Sequence, residues 1–100
     1  MITVEKTAEF DAWLRSLRDR QARSRINSRL LRLSLGNMGD VRPVGNGVSE
    51  LRIHYGPGYR VYLVQRGAVL VVLLCGGDKS TQAADIEDAK RLAGLLGGQP

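Results

Sequence analysis

The chain has 100 residues, a formal net charge of +5, 43% hydrophobic and 25% charged residues, which suits one packed domain and excludes a disordered chain. One cysteine and one histidine exclude an internal disulfide and a zinc site, so no metal or other cofactor is expected. The longest apolar run, 68–75, is too short to span a bilayer and residues 1–10 lack a leader pattern, so no membrane partner and a cytoplasmic location are expected.

Residues 2–5 alternate apolar and polar, as a first strand does. Thr7 can cap the helix that follows, whose Phe10, Trp13, Leu14 and Leu17 recur at helical spacing. Asp19 can cap a second helix with Ala22, Ile26, Leu30 and Leu33 on one face, ended by Gly36, Asn37 and Gly39. The short link between the two predicts a helical hairpin. The period then changes from helical to two. Asn46-Gly47 is a turn signal, and 48–55 reads as a strand. Gly56-Pro57-Gly58 is a loop, 59–65 a strand and Arg66-Gly67 a tight turn. Residues 68–75 read as a strand apolar on both faces, which fits a strand buried on both sides. Gly76-Gly77 is expected to break it. A last helix runs over 81–96 with Ile86, Ala89, Leu92 and Leu96 inward, and 97–100 reads as a loose tail. The fold class is therefore α+β, in the order β-α-α-β-β-β-α. A mostly antiparallel four-stranded sheet carries the helical hairpin and a C-terminal helix, as a single domain over 1–96.

Of the 15 basic residues 12 are arginine, whose planar fork grips phosphate or carboxylate. An anionic partner follows: nucleic acid or an acidic protein segment. On the strand over 48–55, Leu51 and Ile53 share one face, while Glu50, Arg52 and His54 share the other. On the next strand Val61 and Leu63 oppose Arg60 and Tyr62. If the apolar set meets the helices, then Glu50, Arg52, His54, Arg60 and Tyr62 gather on the opposite side, within reach of Lys79. Such a face can bind a phosphodiester. Arg52, Arg60 and Lys79 would stabilise developing charge, and Glu50, His54 and Tyr62 would move protons or stack on bases. Arg60 is not expected to be a core residue. The second helix adds Arg20, Arg23, Arg25, Arg29 and Arg32, a candidate nucleic-acid-binding surface. Cys75, inside an apolar run, reads as a small hydrophobe.

Glu50-Leu51-Arg52-Ile53 leads through a loop to Gly58-Tyr59-Arg60-Val61-Tyr62. The segment Gly76-Gly77-Asp78-Lys79-Ser80-Thr81-Gln82 follows the buried strand, with Asp85-Ile86 in the last helix. These segments resemble the RelE/ParE superfamily, most closely its HigB-like branch of addiction-module killer proteins, over residues 2–96. The resemblance implies a toxin neutralised by a cognate antitoxin, with operator DNA reached only through that antitoxin. In RelE-like members it implies metal-independent cleavage of mRNA on the ribosome. Arg60 matches the strand arginine at the scissile region, Arg52 falls at a basic position of the preceding strand, and Lys79 lies near the basic residue after the last strand. Glu50 falls where RelE-like sequences carry lysine, and no aromatic residue follows Tyr62. Two other functions stay open: a ParE-like gyrase poison without chemistry of its own, and a non-toxic antitoxin-binding module.

Overall fold

Two helix starts are set by side chains that satisfy orphan backbone N–H groups. A computed structural model of the chain, which describes residues 1–96, places Thr7 ahead of α1 (Ala8–Ser16), where its Oγ1 accepts from Phe10 N at 3.0 Å. Asp19 does the same for α2 (Arg20–Ser34), accepting from Gln21 N and Ala22 N. Gly36, at φ +94°, lies just past the α2 end. Between the helices Arg23 Nη1 donates to Leu17 O and closes the hairpin.

The strands are β1 (Thr3–Lys6), β2 (Val41–Gly45), β3 (Val48–Ile53), β4 (Tyr59–Arg66) and β5 (Leu70–Gly77). They form one sheet in the order β1-β5-β4-β3-β2, antiparallel except where β1 runs parallel to β5. A 3-10 turn, Lys79–Thr81, leads into α3 (Gln82–Leu95). The α+β class and the three-strand meander agree with the sequence reading. The sheet has a fifth strand, β2, where the sequence reading expects four. It is an edge strand with Pro43, which cannot donate to a ladder, and a bulge between Pro43 and Gly45.

Each face of the sheet has its own apolar layer. Phe10 and Leu14 of α1 and Ile26, Leu30 and Leu33 of α2 pack on Leu51, Ile53, Val61, Leu63, Val71 and Leu73. On the other face Ala89, Leu92 and Ala93 of α3 pack on Val48, Tyr62, Val64, Val72, Leu74 and Cys75. The alternating residues of β4 and β5 thus serve both layers, as strands buried on both sides must.

Two expectations are corrected. Gly76 and Gly77 do not break β5; they lie within it, paired with Val61 and Arg60. Leu96 does not point inward. It is the C-cap of α3 and is 45% exposed, because the inward stripe ends at Leu92 and Ala93. The expected tail, 97–100, lies outside the described residues. Among the described residues no helix is long and apolar enough to cross a membrane.

Candidate functional site

The β3–β4 ladder sets the geometry of the candidate residues. Its register places Glu50 opposite Tyr62 and Arg52 opposite Arg60, all on the face that carries α3. On the far side of β3, the hairpin with β2 sets Arg42 opposite Glu50. The residue before β2, Asp40, accepts the backbone N–H of Arg52 at 3.0 Å.

The sequence reading put these side chains on an open face. The structure encloses the centre of that face. Glu50 and Tyr62 are fully buried and Arg60 is 9% exposed, under the first turns of α3. Glu50 is a hub. Its Oε2 accepts from Tyr62 OH at 3.0 Å and from Gln82 Nε2 at 3.0 Å. Its Oε1 accepts from Arg42 Nε at 3.3 Å, and Arg60 Nε lies 3.5 Å from Oε2. The cations and donors around it match its charge and lone pairs. Burial, then the hydrogen bond to Glu50, pushes the Tyr62 phenol well above its ordinary value of 10.0. Arg60 is a core residue after all. Its Nη1 donates to Gly58 O at 2.7 Å, so the guanidinium is fixed between the loop and Glu50.

Arg52 and His54 lie at the rim and share Asp40. Arg52 meets it through Nε and Nη2, each at 3.2 Å, and His54 Nε2 lies 2.5 Å from Oδ2. The His54 contact and then Arg52 hold the Asp40 carboxyl below its ordinary 3.8. Two arginines facing each other across a ladder would repel, but here each has its own carboxylate, Asp40 for Arg52 and Glu50 for Arg60. Lys79 is exposed, and its backbone N–H donates to Pro57 O at 3.4 Å, which ties the 3-10 turn to the loop that Arg60 grips. Asp78 caps that turn through Ser80.

The arginines of α2 divide. Arg25, Arg29 and Arg32, with Ser28, Ile53 and His54, line a cavity of about 240 Å³ between the helix and the end of β3. Arg20 and Arg23 lie outside it, and Arg23 closes the helical hairpin. His54 therefore meets the α2 arginines as well as the Asp40 cluster. Cys75 is buried, and burial, then the Asp85 and Asp88 charges, push its thiol up to about 12, which suits a small hydrophobe.

Sequence reasoning missed Asp40, Gln82 and Arg42. The signal for two of them was present. A hairpin on Asn46-Gly47 brings 40–43 alongside 50–52; the bulge between Pro43 and Gly45 then shifts the register by one and sets 42, not 43, opposite 50. Nothing in the sequence pairs Gln82 with Glu50 without knowing that α3 lies on this face.

The chain matches the family model described as Phage derived protein Gp49-like (DUF891) over residues 12–93. It is 53% identical over 96 residues to a protein of Haemophilus influenzae described as an uncharacterized protein, a match covering 96% of this chain and 97% of that one. No solved structure matches it.

Proposed function

The chain belongs to the phage-derived Gp49-like family, and from that premise we propose that it is the toxin of a toxin–antitoxin pair. On this reading it is a HigB-like member of the RelE/ParE superfamily that cleaves mRNA on the ribosome, in the cytoplasm, until a cognate antitoxin neutralises it. Operator DNA is reached only through that antitoxin. The observation that carries the reading is the cation set at the open end of β3 and β4. Arg52 and Arg60 stand opposite each other, each fixed by its own carboxylate, with Lys79 anchored beside them.

RNA cleavage by the 2′-hydroxyl needs a deprotonated nucleophile, a stabilised phosphorane and a protonated leaving oxygen. Cations held rigidly before the reaction supply the second need at little reorganisation cost. Arg52 and Lys79 take that role at the rim, and Arg60, 9% exposed, adds its charge from within the covered face. Glu50 and Tyr62 are enclosed, so they support Arg60 from beneath and do not touch the substrate. His54 is exposed and braced by Asp40, which makes it the candidate for proton transfer. The same enclosure of Glu50 and Tyr62 favours a second reading, a gyrase poison, because a binder needs no proton-transfer group.

The test is primer extension on mRNA from a cell-free translation reaction, with and without ribosomes. The nuclease reading expects cuts inside translated codons that vanish without ribosomes. His54→Ala should slow cutting about 10²-fold or more. Lys79→Ala, also exposed, should slow it without loss of fold. Intact mRNA together with growth arrest in cells would move the target to gyrase. Intact mRNA without growth arrest would leave an antitoxin-binding module.

A further inference from the structure

The two basic regions differ in how their charge is matched. Around β3 and β4, Arg42 and Arg60 pair with Glu50, and Arg52 and His54 pair with Asp40. In the cavity beside α2 the opposite holds. Arg25, Arg29 and Arg32 form no ion pair among the described residues. They follow one another at steps of four and three, so they line a single flank of the helix, next to the buried stripe of Ala22, Ile26, Leu30 and Leu33.

The cavity is prepared in more than charge. Arg29 Nη1 donates to Arg52 O at 2.7 Å, which fixes α2 to the end of β3, and its Nη2 is buried without a hydrogen-bond partner. Burial, then the Arg32 charge, lowers the Arg29 pKa from its ordinary value. The guanidinium of Arg25 lies over the Tyr55 ring, 4.7 Å from its centroid, and Tyr55 OH donates to Asp19 at 2.9 Å. His54 is braced from behind by Asp40, and Ser28 adds a hydroxyl. Like charges brought together around a concave, half-enclosed space raise the local potential and attract an anion. The cavity, at about 240 Å³, has room for a phosphate group. The donors on its walls are the forked and imidazole types that grip phosphate oxygens.

We propose that the cavity formed by Arg25, Ser28, Arg29, Arg32 and His54 is a phosphate-binding site that takes a backbone phosphate of RNA. It rests on the preceding reading only in naming RNA as the source of that phosphate. The site adjoins the Asp40 cluster through His54, so it holds a strand next to the Arg52 side chain and needs no ribosome to do so.

The experiment is a titration of the purified full chain with inorganic phosphate and with a single-stranded ten-nucleotide RNA, at several salt concentrations. Binding is followed by calorimetry and by the NMR signals of the His54 ring and the arginine Nε–H groups. Both probes are expected to move the His54, Arg25 and Arg32 signals. The double variant R25A/R32A should weaken RNA binding about tenfold or more and lower the slope of log K against log salt by about 1.4, two single-strand phosphate contacts. Arg15→Ala, which removes one exposed charge from α1 outside the cavity, should change binding about twofold at most and leave the slope nearly unchanged. Arg25 and Arg32 are both exposed, and circular dichroism checks that the double variant stays folded. RNA binding that is no weaker in R25A/R32A than in Arg15→Ala overturns the proposal. So does movement of the pocket signals by phosphate but not by RNA, which would make it a site for free phosphate. Displacement of RNA by polyglutamate at equal charge concentration would make it a surface for an acidic protein segment, and overturns it too. Because no cleavage is measured, failure of the nuclease reading and failure of this site give different results.

Discussion

A buried carboxylate is tolerated only when its charge and lone pairs are matched, and around Glu50 three side chains donate hydrogen bonds while Arg60 Nε pairs by charge alone. Four side chains converge on it: Arg42, Arg60, Tyr62 and Gln82, from β2, β4 and the first turn of α3. Removing the carboxylate leaves Arg60, 9% exposed, as a buried cation with no anion, and leaves the Tyr62 hydroxyl without its acceptor. Glu50→Ala should therefore destabilise the fold by about 3–5 kcal/mol. Tyr62→Phe, which removes one hydrogen bond to a charged group, should cost about 1.5–3 kcal/mol. Urea unfolding measures both. Equal and small losses, below about 1 kcal/mol, would mean that water reaches Glu50 and that the hub is not the closed unit described. The same argument changes how Arg60 is probed. Arg60→Ala takes from Glu50 its enclosed cation and leaves only the half-exposed Arg42, so lost toxicity in that variant would report folding as much as function. Lys79→Ala and His54→Ala are the informative substitutions, because both residues are exposed.

At the scale of the elements, Gly76 and Gly77 decide how closely the two helical layers approach β5. A Cβ on Gly76 would overlap the Trp13 ring from α1, and one on Gly77 would overlap the Asp85 carboxylate from α3. The pair is a seat for one side chain on each face. Gly76→Ala should displace Trp13 from Phe10 and Tyr59, whose rings lie 5.8 and 6.3 Å away, and cost about 1–3 kcal/mol by overpacking. A fall in melting temperature with a shift of Trp13 fluorescence is the expected result. An unchanged spectrum would show that Trp13 does not rest there. From sequence alone this pair reads as a break, because glycine marks turns and close approaches alike. Helix caps and apolar stripes are local signals, and Thr7, Asp19 and the stripes of α1 and α2 were legible. The β2 strand was not: Pro43, Gly45 and a bulge blur its alternation, although Asn46 and Gly47, at φ +55° and +76°, form the turn a tight hairpin requires. The enclosure of the site follows from the strand pattern. A strand apolar on both faces needs a layer on both faces. Once α3 is placed over the second face, Glu50 and Tyr62 must be enclosed, and a face read as open becomes a covered one with an open end.

For the molecule as a whole, the two apolar layers share their strands, and this fixes how the chain unfolds. Val61, Leu63, Val71 and Leu73 belong to the α1–α2 layer, while Tyr62, Val64, Val72 and Leu74 belong to the α3 layer. Disrupting β4 or β5 breaks both layers at once, so residues 1–96 should unfold as one cooperative unit. Trp13 fluorescence reports the first layer, and amide exchange at Ala89 and Leu92 reports the second. The expected outcome is the same free energy of opening from both, within about 0.5 kcal/mol. The measurement also bears on mechanism. α3 is held at its start by Gln82 on Glu50 and by the 3.7 Å contact of Cys75 Sγ with Asp85 O, beside the apolar contacts of Ala89, Leu92 and Ala93. If α3 opens at a free energy well below the global value, Glu50 and Tyr62 become accessible in a minor state and could meet a substrate there. If the two values coincide, Glu50 and Tyr62 are exposed only by unfolding. On the proposed function, binding and chemistry would then belong to the rim: Arg52, Lys79, His54 and the arginine-lined cavity beside α2.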